Sequence, residues 1–195
     1  MRRPLTFAFL RAINVGGHTV TMERLRRIFG AMGLKEVETF IASGNVVFAT
    51  PSTNPRVLAA KIEDRLHASL GYEVKTFLRS EKELAAIATY RPFTESRRKT
   101  AAAFCVGFLA EPLEKAAVTA LLALRTANDD FHVHDREVYW LCKKKQSEST
   151  FSNALFEKTV TVRATLRGMN TVERLAAKYA LADPPPARKA ARPRS

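Results

Sequence analysis

Residues 5–33, LTFAFLRAINVGGHTVTMERLRRIFGAMG, predict the unit from which this fold is built. An apolar run of strand length at 5–10 leads into a loop that contains two adjacent glycines. Thr21 is typical of a helix N-cap, and apolar residues then recur at helical spacing as far as Gly33. The stretch therefore predicts a β-strand, a connecting loop and an α-helix.

The first half of the chain continues with elements of the same kinds. In residues 37–48, alternating side chains form two runs on either side of a Gly-Asn turn, which predicts a hairpin. Asn54 is typical of a second helix start, and residues 72–78 alternate as a further strand. Ser80 and Glu83 have the spacing of a capping box, which opens a third helix. The predicted order of the first half is β-α-β-β-α-β-α.

The same order returns after a polar segment. The predicted elements are a strand at 101–109, a helix at 113–124, two strands within 131–142, a short helix at 151–158, a β-branched strand at 159–162 and a last helix from Asn170. Two halves of one order predict an α+β fold that duplicates a ferredoxin-like, split β-α-β unit. The predicted units are an N-terminal subdomain at 1–93, a linker at 94–100, a C-terminal subdomain at 101–181 and a mobile, basic, Pro-rich tail at 182–195.

The charge of the chain indicates an anionic partner. Its 195 residues include 32 Lys and Arg against 19 Asp and Glu, a formal net charge of +13, and 46% of the residues are hydrophobic. An excess of Lys and Arg favours nucleic acid, because phosphate contacts release counterions. No stretch has the length of a membrane span, no signal peptide is predicted, and both cysteines lie in apolar runs. We therefore expect a cytoplasmic protein without a membrane partner.

The loop after the first strand is the first candidate site. Two glycines at 16 and 17 let the backbone approach a ligand closely, and the next helix offers free N–H groups to an anion. Arg11 adds a guanidinium that suits phosphate or carboxylate, and Asn14 lies between them. The alternative is a plain turn in which Asn14 makes hydrogen bonds within the loop. The loop carries neither the dinucleotide nor the P-loop fingerprint, so no cofactor is predicted.

Two further segments complete the candidate residues. Ser43, Gly44 and Asn45 form a hairpin tip with a hydroxyl and an amide, which would lie beside the first loop if their strands are neighbours; a plain turn is the alternative. Lys143, Lys144 and Lys145 follow an aromatic strand and indicate either a nucleic-acid contact or a solvated face. His132 and His134 have a spacing that metal sites use, but no third ligand recurs nearby except Asp135, and neither cysteine has a C-x-x-C partner. No metal site is therefore predicted.

The segments 10–17 and 41–48, read together, resemble the bacterial domain-of-unknown-function family numbered sixteen ninety-seven (DUF1697). The segment Thr165-Leu166-Arg167 is similar to that family's Thr-x-Arg-Asn-Trp segment, although Gly168 and Met169 stand here in place of Asn and Trp. The resemblance implies an α+β fold with two similar halves and no assigned activity. It adds Thr165 and Arg167 to the candidate residues above.

Three functions remain open at this point. The first is a binding module for an anionic ligand, nucleic acid foremost, in which Arg11, Asn14, Gly16, Gly17, Ser43, Gly44, Asn45 and Arg167 form the site. The second is a small enzyme acting on a phosphate- or carboxylate-bearing metabolite. The third is a protein-interaction or structural role. The first hypothesis predicts that Arg11, Ser43, Asn45 and Arg167 converge in one cleft.

Overall fold

The computed structural model describes residues 3–14, 16–41 and 44–180, which form two four-stranded antiparallel sheets with helices. The elements of the first half are β1 (Leu5–Leu10), α1 (Met22–Ala31), β2 (Lys35–Thr39), β3 (Asn45–Ala49), α2 (Pro55–Leu70), β4 (Thr76–Ser80) and α3 (Glu81–Thr89). Those of the second half are α4 (Glu95–Thr100), β5 (Ala103–Phe108), α5 (Lys115–Leu122), β6 (Asp129–His134), β7 (Glu137–Cys142), a 3-10 turn (Gln146–Glu148), α6 (Asn153–Val160), β8 (Thr165–Gly168) and α7 (Met169–Tyr179).

The two sheets have the same topology. The first has the strand order β2-β3-β1-β4, and the second has the order β6-β7-β5-β8. In each sheet the first strand of its half lies centrally and pairs with the third and the fourth strand, as in a split β-α-β unit. The predicted α+β duplication is therefore confirmed.

Strand register makes individual residues of the two halves equivalent. Phe9 of β1 lies opposite Asn45 of β3, and Phe108 of β5 lies opposite Glu137 of β7. The rings of Phe9 and Phe108 stack face to face, with centroids 3.8 Å apart and an interplanar angle of 8°. Equivalent side chains thus meet where the two halves join, a region we call the seam.

The two faces of each sheet pack into different cores. Phe7 and Phe9 belong to a core shared by both sheets together with α3 and α7, whereas Ala8 and Leu10 belong to a core with α1 and α2. Trp140 of β7 belongs to a third core, which α5 and α6 help to form. The alternation along each strand therefore directs one face to the seam and the other to an outer pair of helices.

The predicted helix starts are confirmed at three positions. The side chains of Thr21 and Asn54 accept hydrogen bonds from the backbone amides of Arg24 and Val57. Ser80 and Glu83 form the complete capping box at the start of α3. Each cap satisfies an amide that has no partner within its own helix, which fixes where the helix begins.

The structure corrects the prediction of a strand at 159–162. Helix α6 continues to Val160 and ends at Thr161, whose φ of 57° is left-handed. Phe156 and Val160, four residues apart, bury the same helical face in the outer core of the second sheet. The last strand is instead β8 at 165–168, which pairs with β5. Side-chain burial at helical spacing outweighs the β-branched composition of this segment.

Residues 94–100, predicted as a linker between the halves, contain the short helix α4, which Thr94 caps. The last helix begins at Met169 rather than Asn170, and Gly168 precedes it without a side-chain cap. Met169 is buried in the shared core, so packing sets this start rather than a polar cap. The predicted tail at 182–195 lies outside the described residues.

Within the part of the chain that the structure describes, no helix has the length and apolar character needed to cross a membrane.

Candidate functional site

Arg11 lies at the end of β1 and reaches across the seam to α6 of the other half. Its Nε donates to Oε1 of Glu157 at 2.6 Å, and its Nη2 donates to Oε2 at 2.7 Å. Such a two-point contact between ions is directional and stronger than a neutral hydrogen bond. The side chains are 26% and 11% exposed, so the pair is partly shielded from water.

Glu157 collects further donors. The side chains of Asn153 and Arg163 donate to its carboxylate at 3.0 and 3.2 Å, and the amide of Ala164 donates at 3.1 Å. Burial opposes ionisation of Glu157, but the bonds from Arg11 and from the Ala164 amide hold its pKa below the usual value. The carboxylate is therefore charged at neutral pH and holds two arginines in place.

These residues line an open cleft of about 920 Å³ at the seam. Its walls are Arg11, Ala12, Gln146, Phe151, Ser152, Asn153, Ala154, Glu157, Lys158, Thr161, Val162, Arg163, Thr165 and Leu166. The lining contains three cationic side chains and one carboxylate, so its formal net charge is +2. A concave, basic surface of this size suits an anionic ligand.

Arg167 supports the cleft from a buried position. Its Nε donates to Oδ1 of Asn45 at 2.7 Å, and its Nη2 donates to the carbonyl of Leu10 at 2.9 Å. Its Nη1 donates to Oγ1 of Thr165 at 2.8 Å. Burial lowers the pKa of Arg167 to about 10, which still leaves the guanidinium charged at neutral pH. Arg167 thus fixes the residue that precedes Arg11.

Arg79 is the equivalent of Arg167 in the first half and crosses the seam in the opposite direction. It lies on β4, as Arg167 lies on β8. Its Nε donates to Oε1 of Glu137 at 2.7 Å, and its Nη2 donates to the carbonyl of Leu109 at 2.9 Å. Both side chains of this ion pair are buried. Two reciprocal arginines therefore join the halves.

The side chain of Asn14 closes the first loop by a hydrogen bond within it. Oδ1 of Asn14 accepts a hydrogen bond from the amide of Val20 at 2.7 Å. Gly16 and Gly17 are exposed and have φ values of 69° and 84°, which glycine adopts without strain. The Asn14 contact is the one expected of the turn interpretation, and the glycines supply the loop's left-handed backbone.

The hairpin tip lies against the first loop, as the sequence indicated. Gly44 accepts a hydrogen bond at its carbonyl from the amide of Leu10 at 2.9 Å. Its φ is 75°, and a Cβ atom added there would lie 2.7 Å from Cγ2 of Ile13. The tip and the loop therefore touch at a position that requires glycine. Ser43 lies outside the described residues.

Gly44→Ala is expected to destabilise the protein by about 2–3 kcal/mol, because a left-handed backbone and an overpacked contact add their costs. Gly30 provides the control. It lies in α1, and a Cβ atom added there would have no neighbouring atom within 4 Å outside its own helix. Gly30→Ala should therefore raise stability by about 0.5–1 kcal/mol. Urea unfolding monitored by circular dichroism measures both. Equal effects of the two substitutions would contradict the close contact.

Lys143, Lys144 and Lys145 are exposed in the loop after β7, which we call the lysine loop. Asp129 anchors this region. Its carboxylate accepts from the indole of Trp140 at 2.9 Å and from the hydroxyl of Ser149 at 2.8 Å. Burial opposes ionisation of Asp129, yet these hydrogen bonds lower its pKa. The strand before the lysine loop and the segment after it therefore bond to the same buried carboxylate.

The lysine loop connects two hollows. Gln146 at its end lines the seam cleft, whereas Lys143 at its start lines a second hollow of about 470 Å³. Arg97 and Arg125 also line the second hollow, and both donate to Asp130 at 2.6 Å. Asp129 and Asp130 line the second hollow as well, so its formal net charge is +1. Three chain steps span at most about 11 Å, so the lysine loop lies between two hollows that each carry a net positive charge.

The structure brings together some of the predicted site residues. Arg11 lines the cleft, and Asn45 and Arg167 contact each other beside it. Asn14, Gly16 and Gly17 form the adjacent loop, and Gly44 touches that loop. Lys158 and Arg163, which line the cleft, and Glu157, which organises it, were not predicted, because they flank the segment that was taken for a strand. Among the described residues no group of His, Cys, Asp or Glu has the geometry of a metal site.

Comparisons with known proteins place these features in a family. A family model described as "Protein of unknown function (DUF1697)" matches residues 5–139. A solved structure, "The structure of conserved bacterial protein SP0830 from Streptococcus pneumoniae", has a TM-score of 0.67 and 21% sequence identity. The match covers 89% of this chain and 97% of that one, and at this identity it shows the fold alone. No curated protein matches the chain.

Proposed function

Since the chain belongs to the DUF1697 family, whose description gives no activity, we propose from the geometry that it binds a single-stranded nucleic acid along the basic surface at the seam. One observation carries the proposal. The lysine loop joins two hollows that are each lined by cationic side chains. A continuous basic track suits a polymer of phosphates better than one small anion.

The two parts of the surface have different tasks. In the seam cleft, Arg11 and Arg163 are oriented by Glu157, so their charges have fixed positions for a phosphate. In the lysine loop the three ammonium groups are exposed, and long side chains can follow a flexible strand. The buried Asp129 bonds to Trp140 before the loop and to Ser149 after it. We infer that the cleft fixes the position of the polymer while the lysines supply most of the salt-dependent affinity.

The triple variant Lys143→Ala, Lys144→Ala, Lys145→Ala is expected to bind a fluorescent single-stranded oligonucleotide more weakly and with less salt dependence. Each lost phosphate contact reduces the magnitude of the negative slope of log K against log salt by about 0.7 for a single strand. The slope should therefore fall by about 2. Fluorescence anisotropy at several salt concentrations measures affinity and slope together.

The control removes the same charge elsewhere. Lys35, Lys61 and Lys82 are exposed on β2, α2 and α3 and line neither hollow. Their triple replacement by alanine should change the slope by less than one third as much. Equal effects of the two triple variants would show that net charge alone attracts the oligonucleotide. An inorganic phosphate or mononucleotide that binds as tightly as the oligonucleotide would contradict a polymer site and favour a small metabolite.

A further inference from the structure

A small pocket lies between α3 and the β6–β7 hairpin, away from the basic surface. Its volume is about 120 Å³, which corresponds to about four water molecules of liquid. It is lined by Glu83, Ala86, Ile87, Tyr90, His134, Asp135, Glu137 and Tyr139. We call it the tyrosine pocket.

Tyr139 is the central observation. The side chain lies in the shared core with 0% exposure, and it contributes to the lining of the pocket. Among the described residues its hydroxyl has no hydrogen-bond partner. A buried hydroxyl without a partner costs free energy, so it is ordinarily satisfied. A ligand in the pocket would meet this requirement.

The walls of the pocket suit a cation. The ring of Tyr90 stacks on His134 with centroids 4.3 Å apart, and it lies 5.2 Å from the ring of Tyr139. A hydrogen bond of 2.8 Å between the Tyr90 hydroxyl and Nε2 of His132 fixes its orientation. Aromatic faces attract cations through their quadrupoles. The pocket therefore has a preformed aromatic wall.

The charges around the pocket have the complementary sign. Three carboxylates line it, from Glu83, Asp135 and Glu137. Arg136 pairs with Glu83, and Arg79 pairs with Glu137, so two guanidinium groups face three carboxylates. Burial raises the pKa of Glu137 despite Arg79, and a further cation beside this carboxylate would stabilise its charged form.

We propose that the tyrosine pocket binds a small organic cation, a guanidinium or short alkylammonium group that donates to the Tyr139 hydroxyl and to the Glu137 carboxylate. A guanidinium has four non-hydrogen atoms, which matches the volume. Its planar face packs against the aromatic wall, and its N–H groups donate to both acceptors. The basic net charge of the protein repels cations at long range, so binding is weak and local, in the millimolar range.

Methylguanidinium is the probe, and the neutral isostere N-methylurea is its control. We expect methylguanidinium to give saturable NMR shifts at Tyr90 and His134, and N-methylurea to bind about tenfold more weakly or not at all. Equal binding of the two would overturn the assignment to a cation. Absence of saturable shifts from methylguanidinium would overturn the pocket itself.

Two variants test the pocket from different sides. Tyr139→Phe should weaken methylguanidinium binding about fivefold or more and raise the melting temperature by about 2–4 °C, because it removes an unsatisfied buried hydroxyl. Unchanged affinity, or a lower melting temperature, would contradict the role of the hydroxyl.

Ala86→Leu on α3 should block the pocket, whereas Ala116→Leu on α5 should leave binding unchanged. Binding retained by Ala86→Leu would place the ligand elsewhere.

Discussion

Arg79→Met is expected to destabilise the protein by about 3–5 kcal/mol, because it leaves the buried carboxylate of Glu137 without its ion-pair partner. The substitution also removes donors from the carbonyls of Leu78, Leu109 and Arg136. The carbonyls of Leu109 and Arg136 belong to the second half, so these two hydrogen bonds cross the seam. Thermal and urea unfolding of the variant at neutral pH measure the loss.

Unfolding at several pH values separates the electrostatic part of the stability loss from the part that is due to packing. In the folded protein, burial raises the pKa of Glu137 and the charge of Arg79 lowers it. Without Arg79, the folded-state pKa should therefore lie further above the pKa of the unfolded chain. A carboxyl with a raised folded-state pKa contributes stability below its unfolded value, and this contribution is lost as the pH rises. Arg79→Met should therefore be least destabilising in acid. A destabilisation independent of pH would contradict an unpaired carboxylate.

The double variant Arg79→Met with Glu137→Leu is the matched control. Replacement of a whole buried ion pair by apolar residues is often neutral, whereas removal of one partner is not. We expect the double variant to recover most of the stability that Arg79→Met loses. No recovery would show that the contacts of Arg79 with the three carbonyls, rather than with Glu137, dominate.

Phe9→Ala is the second large prediction, with an expected loss of about 3–5 kcal/mol. Phe9 is fully buried, and its ring stacks on that of Phe108 at the seam. The variant leaves a cavity between two rigid sheets, which have little freedom to close it. Phe108→Ala should have a similar effect, because the two positions are equivalent in the two halves.

A double-mutant cycle tests whether this stack joins the halves. Removal of both rings should cost less than the sum of the single losses, because the first substitution already abolishes the stack. Phe131 supplies the comparison, since it is equally buried but belongs to the outer core of the second sheet. Phe9→Ala and Phe131→Ala should be additive within about 0.5 kcal/mol. Additivity of Phe9 with Phe108 would contradict the stack.

The fold was largely predictable from the sequence because its signals are local. Helix caps at Thr21, Asn54 and Ser80 require only the next few residues, and strand alternation requires only one buried face. The segment at 159–162 was mispredicted because its β-branched residues favour a strand locally. The decision depends on Phe156 and Val160, whose burial against the second sheet is a tertiary property.

The site was predictable only in part because its contacts join distant residues. Arg11 was identified by its position after the first strand, but its partner Glu157 lies 146 positions away. Arg167 was identified through the family resemblance, and its contact with Asn45 spans 122 positions. Such pairs follow from how the two sheets meet, and no local pattern encodes that geometry. The equivalence of Arg79 and Arg167 became evident only from strand register.

We expect the seam cleft and the lysine loop to bind nucleic acid as one surface. An NMR titration of the labelled protein with a single-stranded oligonucleotide tests it most directly, because each backbone amide reports separately. We expect the largest shifts in residues 143–146 and 152–163 and at Arg11, with loss of these shifts at high salt. No shifts at low salt, or shifts confined to α1 and α2, would contradict it.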